Sequence, residues 1–186
     1  MKVTPTTLPG VLIIEPRVFS DARGFFLETY HAERYAEAGI PPFVQDNHSS
    51  STRGTIRGLH YQLRRPQGKL VRVIHGSVLD VAVDIRRGAP TFAQWVGVEL
   101  SAENKRQLFI PVGFAHGFCV TADVADLEYK CTDFYASDDQ HIIRWDDPTI
   151  GVRWPVAEPI LSNADRAGQL LSLTRDDLPS SEKMHS

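Results

Sequence analysis

Between residues 54 and 135 the chain is a succession of short β-branched and aromatic runs, each closed by glycine, proline, aspartate or asparagine. KLVRVIHGSVLDVAVDIRRG (69–88) alternates apolar and polar residues on both sides of a His75-Gly76 turn, and WVGVELS, QLFIPVG, AHGFCVT and DLEYKCTDFY follow. Alternation with period two places every second side chain on one sheet face. Strands this short and closely spaced predict an all-β antiparallel jelly roll, sandwich or barrel.

The flanks add little that competes with this. VLIIEPRVF (11–19) reads as a strand bent at Pro16, DARG (21–24) as a turn, and HAERYAEAG (31–39) as a short helix closed by Gly39. FVQDNHSSSTRGTIRGLHYQ reads as a strand, a polar loop and a second strand. After Tyr135 the chain becomes irregular. The leucines near 170 suggest a terminal helix, and DDLPSSEKMHS (176–186) a frayed tail. No internal boundary is legible, so residues 1–186 are expected to form a single domain, with a core over about 3–166 and a tail over 167–186.

Composition limits the function. Hydrophobic residues make up 42% and the formal net charge is -3, which gives no case for nucleic-acid or membrane binding. The longest apolar runs, such as VLII (11–14), are strand-sized and too short to span a bilayer. No signal peptide is legible, so Cys119 and Cys131 are expected as buried thiols in a reducing cytoplasm.

Chemistry concentrates in two stretches, GTIRGLHYQLRRPQGK (54–69) and IPVGFAHGF (110–118). Each supplies one imidazole, His60 and His116. Two histidines in a β-barrel raise the possibility of a metal centre, which needs three or four converging ligands. The H-x-H partner of His60 is instead Gln62, no acid follows closely, and Arg64, Arg65 and Lys69 would oppose a divalent ion. A pocket without metal is therefore expected.

Cations around an imidazole favour its neutral form, which suits a general base. Arg53, Arg57, Arg64, Arg65, Lys69 and Arg72 all fall within twelve residues of His60. Strict alternation puts Arg57 on the opposite face from His60 unless a bulge at Gly58 intervenes. A carboxylate would fix the tautomer, and Asp84, Glu128 and Asp165 are each available. In LEYKCTDFY, parity places Tyr129, Cys131, Asp133 and Tyr135 on one face, where a phenol could donate a proton. DARGFFLE, with Arg23, Phe26 and Glu28, reads either as a turn with hydrophobic anchors or as a grip on a planar anionic ligand.

The ordered set DARGFFLE, FVQDNHSSS, IRGLHYQ, QGKLVRVIHGSVLDVAVDIRRG, IPVGFAHGF, LEYKCTDFY and IRWDDPTIGVRWP resembles the dTDP-4-dehydrorhamnose 3,5-epimerases over about residues 3–166. That resemblance implies a metal-independent cupin-type jelly roll, working as a homodimer without an organic cofactor on a dTDP-linked 4-keto-6-deoxy sugar. It implies His60 as base, Asp165 as its carboxylate, Tyr129 as acid and Lys69 beside the enolate oxygen. It further implies Arg57 and His116 as sugar contacts. Arg23, Glu28, Gln45, Asp46 and Asn47 become nucleotide contacts, partly from the second subunit, and Tyr135 an aromatic near the thymine. Two positions depart from the family pattern: Gln140 stands where a glutamate is common, and Ala164 where a lysine is common. The competing expectations are a C3-only epimerase, a 3,4-ketoisomerase, a metal-dependent oxygenase or isomerase, and a non-catalytic sugar-nucleotide-binding cupin.

Overall fold

The computed structural model describes residues 1–181. In chain order the strands are β1 (Lys2–Pro5), β2 (Leu12–Glu15), β3 (Val18–Asp21), β4 (Gly24–Leu27), β5 (Gln45–Thr52), β6 (Ile56–Gln62) and β7 (Lys69–His75). They continue with β8 (Ser77–Asp84), β9 (Trp95–Ser101), β10 (Gln107–Ile110), β11 (Phe114–Val120), β12 (Val124–Cys131) and β13 (Gln140–Ile142). Helix α1 (Ala32–Glu37) lies between β4 and β5, and α2 (Asn163–Arg166) follows β13.

Two antiparallel sheets face each other, one ordered β1-β2-β10-β7-β12-β5 and the other β13-β6-β11-β8-β9. The layers are those of a cupin-like jelly roll. His75-Gly76 does not close a hairpin, because β7 and β8 belong to different sheets. The chain turns a sandwich corner there, and Gly76 has φ +73° with a virtual Cβ only 2.1 Å from the Val124 carbonyl oxygen. No side chain fits that corner.

Between the sheets Val71, Val73 and Leu127 pack against Val78, Ala82, Phe114 and Phe118. Both outer faces are covered as well. Ile14, Tyr35, Ile40, Leu70 and Phe109 form a cluster under α1, while Leu59, Val81, Val83, Ile143, Leu171 and Leu178 form one under the C-terminal segment. Central strands buried on both faces read as nearly continuous apolar runs, hence VLDVAVD.

Three expectations are corrected here. The polar run expected as a loop is strand β5, paired residue for residue with β12 from Gln45↔Cys131 to Thr52↔Val124. Its polarity arises because Gln45, Asn47 and Ser49 face a cavity rather than the core. The expected helix near 170 is absent. Gln169 bridges to Ile143, and the Leu171 N–H donates to buried Asp147 at 2.6 Å, so the backbone there is committed to other partners. The tail is not frayed over 176–181. Leu178 is buried, the Arg87 N–H donates to the Pro179 carbonyl at 2.8 Å, and residues 182–186 of that expectation lie outside the described residues. Burying one leucine side chain contributes about 1.5–3 kcal/mol, and the backbone bonds that Pro179 and Ser181 make with Arg87 add to it against the cost of ordering the segment.

Candidate active site

At one end of the sandwich the apolar filling gives way to a cavity of about 330 Å³. One sheet contributes Gln45, Asn47 and Ser49 from β5, Lys69 from β7 and Tyr129 from β12. The other contributes Arg57, His60 and Gln62 from β6 and His116 from β11. Tyr61, Gln67, Phe118, Tyr135 and Gln140 complete the wall. Each sheet therefore supplies chemistry that the other lacks.

The backbone explains how Arg57 joins His60. Along β6 and β11 the register runs His116↔His60 and then Phe118↔Arg57, so β6 carries one extra residue between the two. Gly58 sits in this bulge with φ +135°, and a virtual Cβ there would lie 2.5 Å from the Cα of Gly117. Two glycines let the strands touch where the bulge re-aims Arg57. The Arg57 Nε–H then donates to Ser51 Oγ at 3.0 Å.

His60 Nε2 and Asp165 Oδ1 are 2.6 Å apart, which selects one carboxylate from the three available. Asp84 is engaged instead by Arg86 and Thr91, and Glu128 by Arg72. Asp165 arrives from α2, more than a hundred residues later in the chain. Burial alone would raise its pKa, but hydrogen bonds from His60 and Ser162 outweigh this and hold it below the ordinary carboxylate value. An ionised Asp165 places the imidazole proton on Nε2 and leaves the other ring nitrogen free to accept one.

His116 has a carboxylate of its own, Asp80, whose two oxygens each lie 3.0 Å from Nε2. Burial lowers the His116 pKa, against the pull of Asp80. Asp80 was not singled out in the sequence, although a carboxylate in the apolar run VLDVAVD is the signal that could have found it. Burial likewise lowers the Lys69 pKa, while Cys131 and Asp80 oppose that shift. Burial raises the Tyr129 pKa, so its phenol is protonated at neutral pH and can donate. Two imidazoles, a protonated phenol and a lysine side chain around one cavity form a set that can move a proton and stabilise an oxyanion.

The nucleotide candidates divide into two groups. Gln45, Asn47 and Tyr135 line the His60 cavity. The Gln45 side chain accepts from the Tyr135 N–H at 2.8 Å and donates to Asn47 at 3.0 Å. The Tyr135 hydroxyl donates to Gln140 at 2.6 Å, so the Gln140 departure falls on the cavity wall. Asp46 points away and pairs with Lys130 at 3.0 Å. Arg23 and Phe26 lie on the β3–β4 hairpin, outside the cavity of their own chain, with Arg23 paired to Asp21. Glu28, just beyond β4, pairs with Arg34. Of the tyrosine face, Cys131 is buried, whereas Asp133 pairs with Arg65 beyond the end of β12, where strand parity no longer applies. Gln62, the position a second metal histidine would take, is occupied in the bend: it donates to the carbonyls of Arg65 and Phe134 and accepts from the Ala136 N–H.

Fold and cavity together define a cupin-like β protein equipped for proton transfer at carbon. Residues 5–172 match the family model described as dTDP-4-dehydrorhamnose 3,5-epimerase. A dTDP-4-dehydrorhamnose 3,5-epimerase of Pseudomonas aeruginosa is 56% identical over 172 residues, covering 91% of this chain and 95% of the relative. The crystal structure of a dTDP-6-deoxy-D-glucose-3,5-epimerase from Legionella pneumophila, in complex with dTDP-4-keto-L-rhamnose, superimposes with a TM-score of 0.93 at 51% identity, covering 96% of this chain and 97% of that one. A 3'-monoepimerase from Streptomyces bikiniensis in complex with dTDP-quinovose gives 0.91 at 33% identity, covering 97% and 94%. The chain belongs to the dTDP-4-dehydrorhamnose 3,5-epimerase family.

Proposed function

We propose that this chain epimerises C3 and C5 of dTDP-4-dehydro-6-deoxy-D-glucose, giving dTDP-4-dehydro-L-rhamnose through enolate intermediates. The observation that carries the reading is the meeting of His60, already bonded to Asp165, with Tyr129 and Lys69 in one cavity. The C4 ketone acidifies the hydrogens at C3 and C5, so the reaction needs no organic electron sink. His60 removes the proton, and the ammonium of Lys69 stabilises the negative charge that develops on the C4 oxygen, an effect of roughly 3–4 kcal/mol for one well-placed donor. His116 and Arg57 hold the sugar, and Tyr129 returns a proton to the opposite face.

The nucleotide end is completed in our reading by a second copy of the chain. Phe19, Phe25 and Phe26 are all exposed on the β3–β4 hairpin, with Arg23 at its tip. They present an aromatic and cationic surface suited to a base and a diphosphate, yet none reaches its own cavity. A homodimer that places this hairpin at the partner's cavity mouth gives them a role, and Arg23→Ala should then raise KM more than it lowers kcat. The free thiols of Cys119 and Cys131 accord with a cytoplasmic setting.

Proton NMR of the 4-keto sugar incubated with the protein in D₂O tests the reaction. Deuterium should enter at both C3 and C5. Entry at C3 alone would place the chain with the mono-epimerases, and no entry at either carbon would leave it a binding protein.

A further inference from the structure

The carboxylate that holds His60 is itself held. Ser162 is the N-cap of α2, and its Oγ accepts the Asp165 N–H at 3.1 Å. The same hydroxyl donates to Asp165 Oδ2 at 2.7 Å. The other oxygen, Oδ1, faces His60 Nε2 at 2.6 Å and also receives the Gly58 N–H at 3.4 Å. Both oxygens are thus assigned, and the plane of the carboxylate is set by donors on opposite sides. Asp165 is only 3% exposed, while Ser162 lies at the surface with its hydroxyl turned onto the carboxylate.

An imidazole aimed by a single contact inherits every rotation of its partner. If the Asp165 carboxylate turned about its terminal torsion, which is broad and soft, Oδ1 would leave the line of the Nε2–H bond and His60 would swing with it. The Ser162 proton on Oδ2 opposes that rotation. The anchoring is local, since serine and aspartate are three residues apart on one helical turn, whereas His60 lies on a strand of the sandwich.

We infer that Ser162 is a positioning residue for the epimerase reaction, its hydroxyl fixing the Asp165 carboxylate so that His60 is aimed at the sugar hydrogens. This rests on the reading of His60 as the base. The plain alternative is that Ser162 merely caps a short helix. Glycine caps nearly as well as serine but has no hydroxyl, while threonine keeps both features. The two roles therefore separate by substitution.

Ser162→Gly, Ser162→Thr and His60→Ala would be compared for kcat, KM, melting temperature and hydrogen exchange of the sugar in D₂O. Positioning requires Ser162→Gly to lower kcat roughly tenfold with KM and melting temperature unchanged, and Ser162→Thr to restore the rate. The low-field proton resonance of the His60–Asp165 pair should be lost in the glycine variant and retained with threonine. Wild-type kcat in Ser162→Gly, or equal loss in the glycine and threonine variants, would overturn the inference. Sugar exchange persisting in His60→Ala would instead overturn the base assignment, whatever the serine variants do.

Discussion

The two histidine–carboxylate pairs face one cavity and stand opposite each other across β6 and β11, yet they are built differently. The His60 side chain keeps 28% of its surface exposed and is bonded through one ring nitrogen to one oxygen of Asp165, which comes from a separate helix. The His116 side chain is 8% exposed and divides its hydrogen bond between both oxygens of Asp80, on the neighbouring strand. The first pair has access to substrate and a short directional contact to a carboxylate carried outside the sheet. The second is clamped within the sheet. A proton acceptor needs room for a reacting carbon, whereas a fixed hydrogen-bonding group gains from immobility. Similar residues thus acquire different tasks from exposure and from the rigidity of the element that carries the acid.

Substitutions can break this contrast. The largest expected effect is from His60→Ala, which should reduce sugar exchange by roughly 10²–10⁴-fold and is read by NMR in D₂O. Tyr129→Phe should stop full epimerisation while retaining some exchange, because abstraction precedes reprotonation. Lys69→Met should lower kcat by roughly 10²–10³-fold. It should also raise the melting temperature: burial lowers the Lys69 pKa, so the protonated side chain costs stability at neutral pH and its removal relieves that cost.

The pairs themselves are compared by Asp165→Asn and Asp80→Asn, with kcat and melting temperature measured for each. Asp165→Asn should cost more activity, since it disturbs the base. Asp80→Asn should cost more stability, about 1–3 kcal/mol, because it leaves an amide donor unpaired at a fully buried position. The reverse ranking would remove the distinction drawn here.

The smallest effect lies away from the cavity. Arg175 donates to Asp177 in the C-terminal segment, and chiefly this contact holds the Asp177 pKa down at about 2. A carboxylate depressed on folding contributes stability above its unfolded pKa and loses it as pH falls through the folded value. Asp177 should therefore contribute about 2 kcal/mol at neutral pH, fading between about pH 4 and pH 2. Asp177→Asn should lower the melting temperature at neutral pH and flatten its fall over that acid window, with little change in kcat.

Several of these features were legible before any coordinates. Alternation and turn residues placed the strands from β6 to β12, whereas the run read as one strand bent at Pro16 divides into β2 and β3, which belong to different sheets. Of the six cations around His60, Arg57 and Lys69 line the cavity, whereas Arg53, Arg64, Arg65 and Arg72 pair with acids outside it. Strand β5 was hidden because its inward residues serve a polar cavity, which erases the hydrophobic period used to read strands. The segment after residue 167 was misread because its order depends on partners far away in sequence, Asp147, Ile143 and Arg87. A leucine run cannot disclose which distant groups will take its backbone hydrogen bonds.

What the chain determined by itself was the type of layer and the kind of chemistry, since strand periodicity and local charge are carried by near neighbours. Pattern and charge did not tell which carboxylate serves which histidine. By those signals Asp84, Glu128 and Asp165 were equivalent, only the family resemblance singled out Asp165, and Asp80 went unnoticed. Directional bonds of 2.6–3.0 Å chose among them, and bonds that short form only after two sheets, a glycine bulge and one turn of helix have converged.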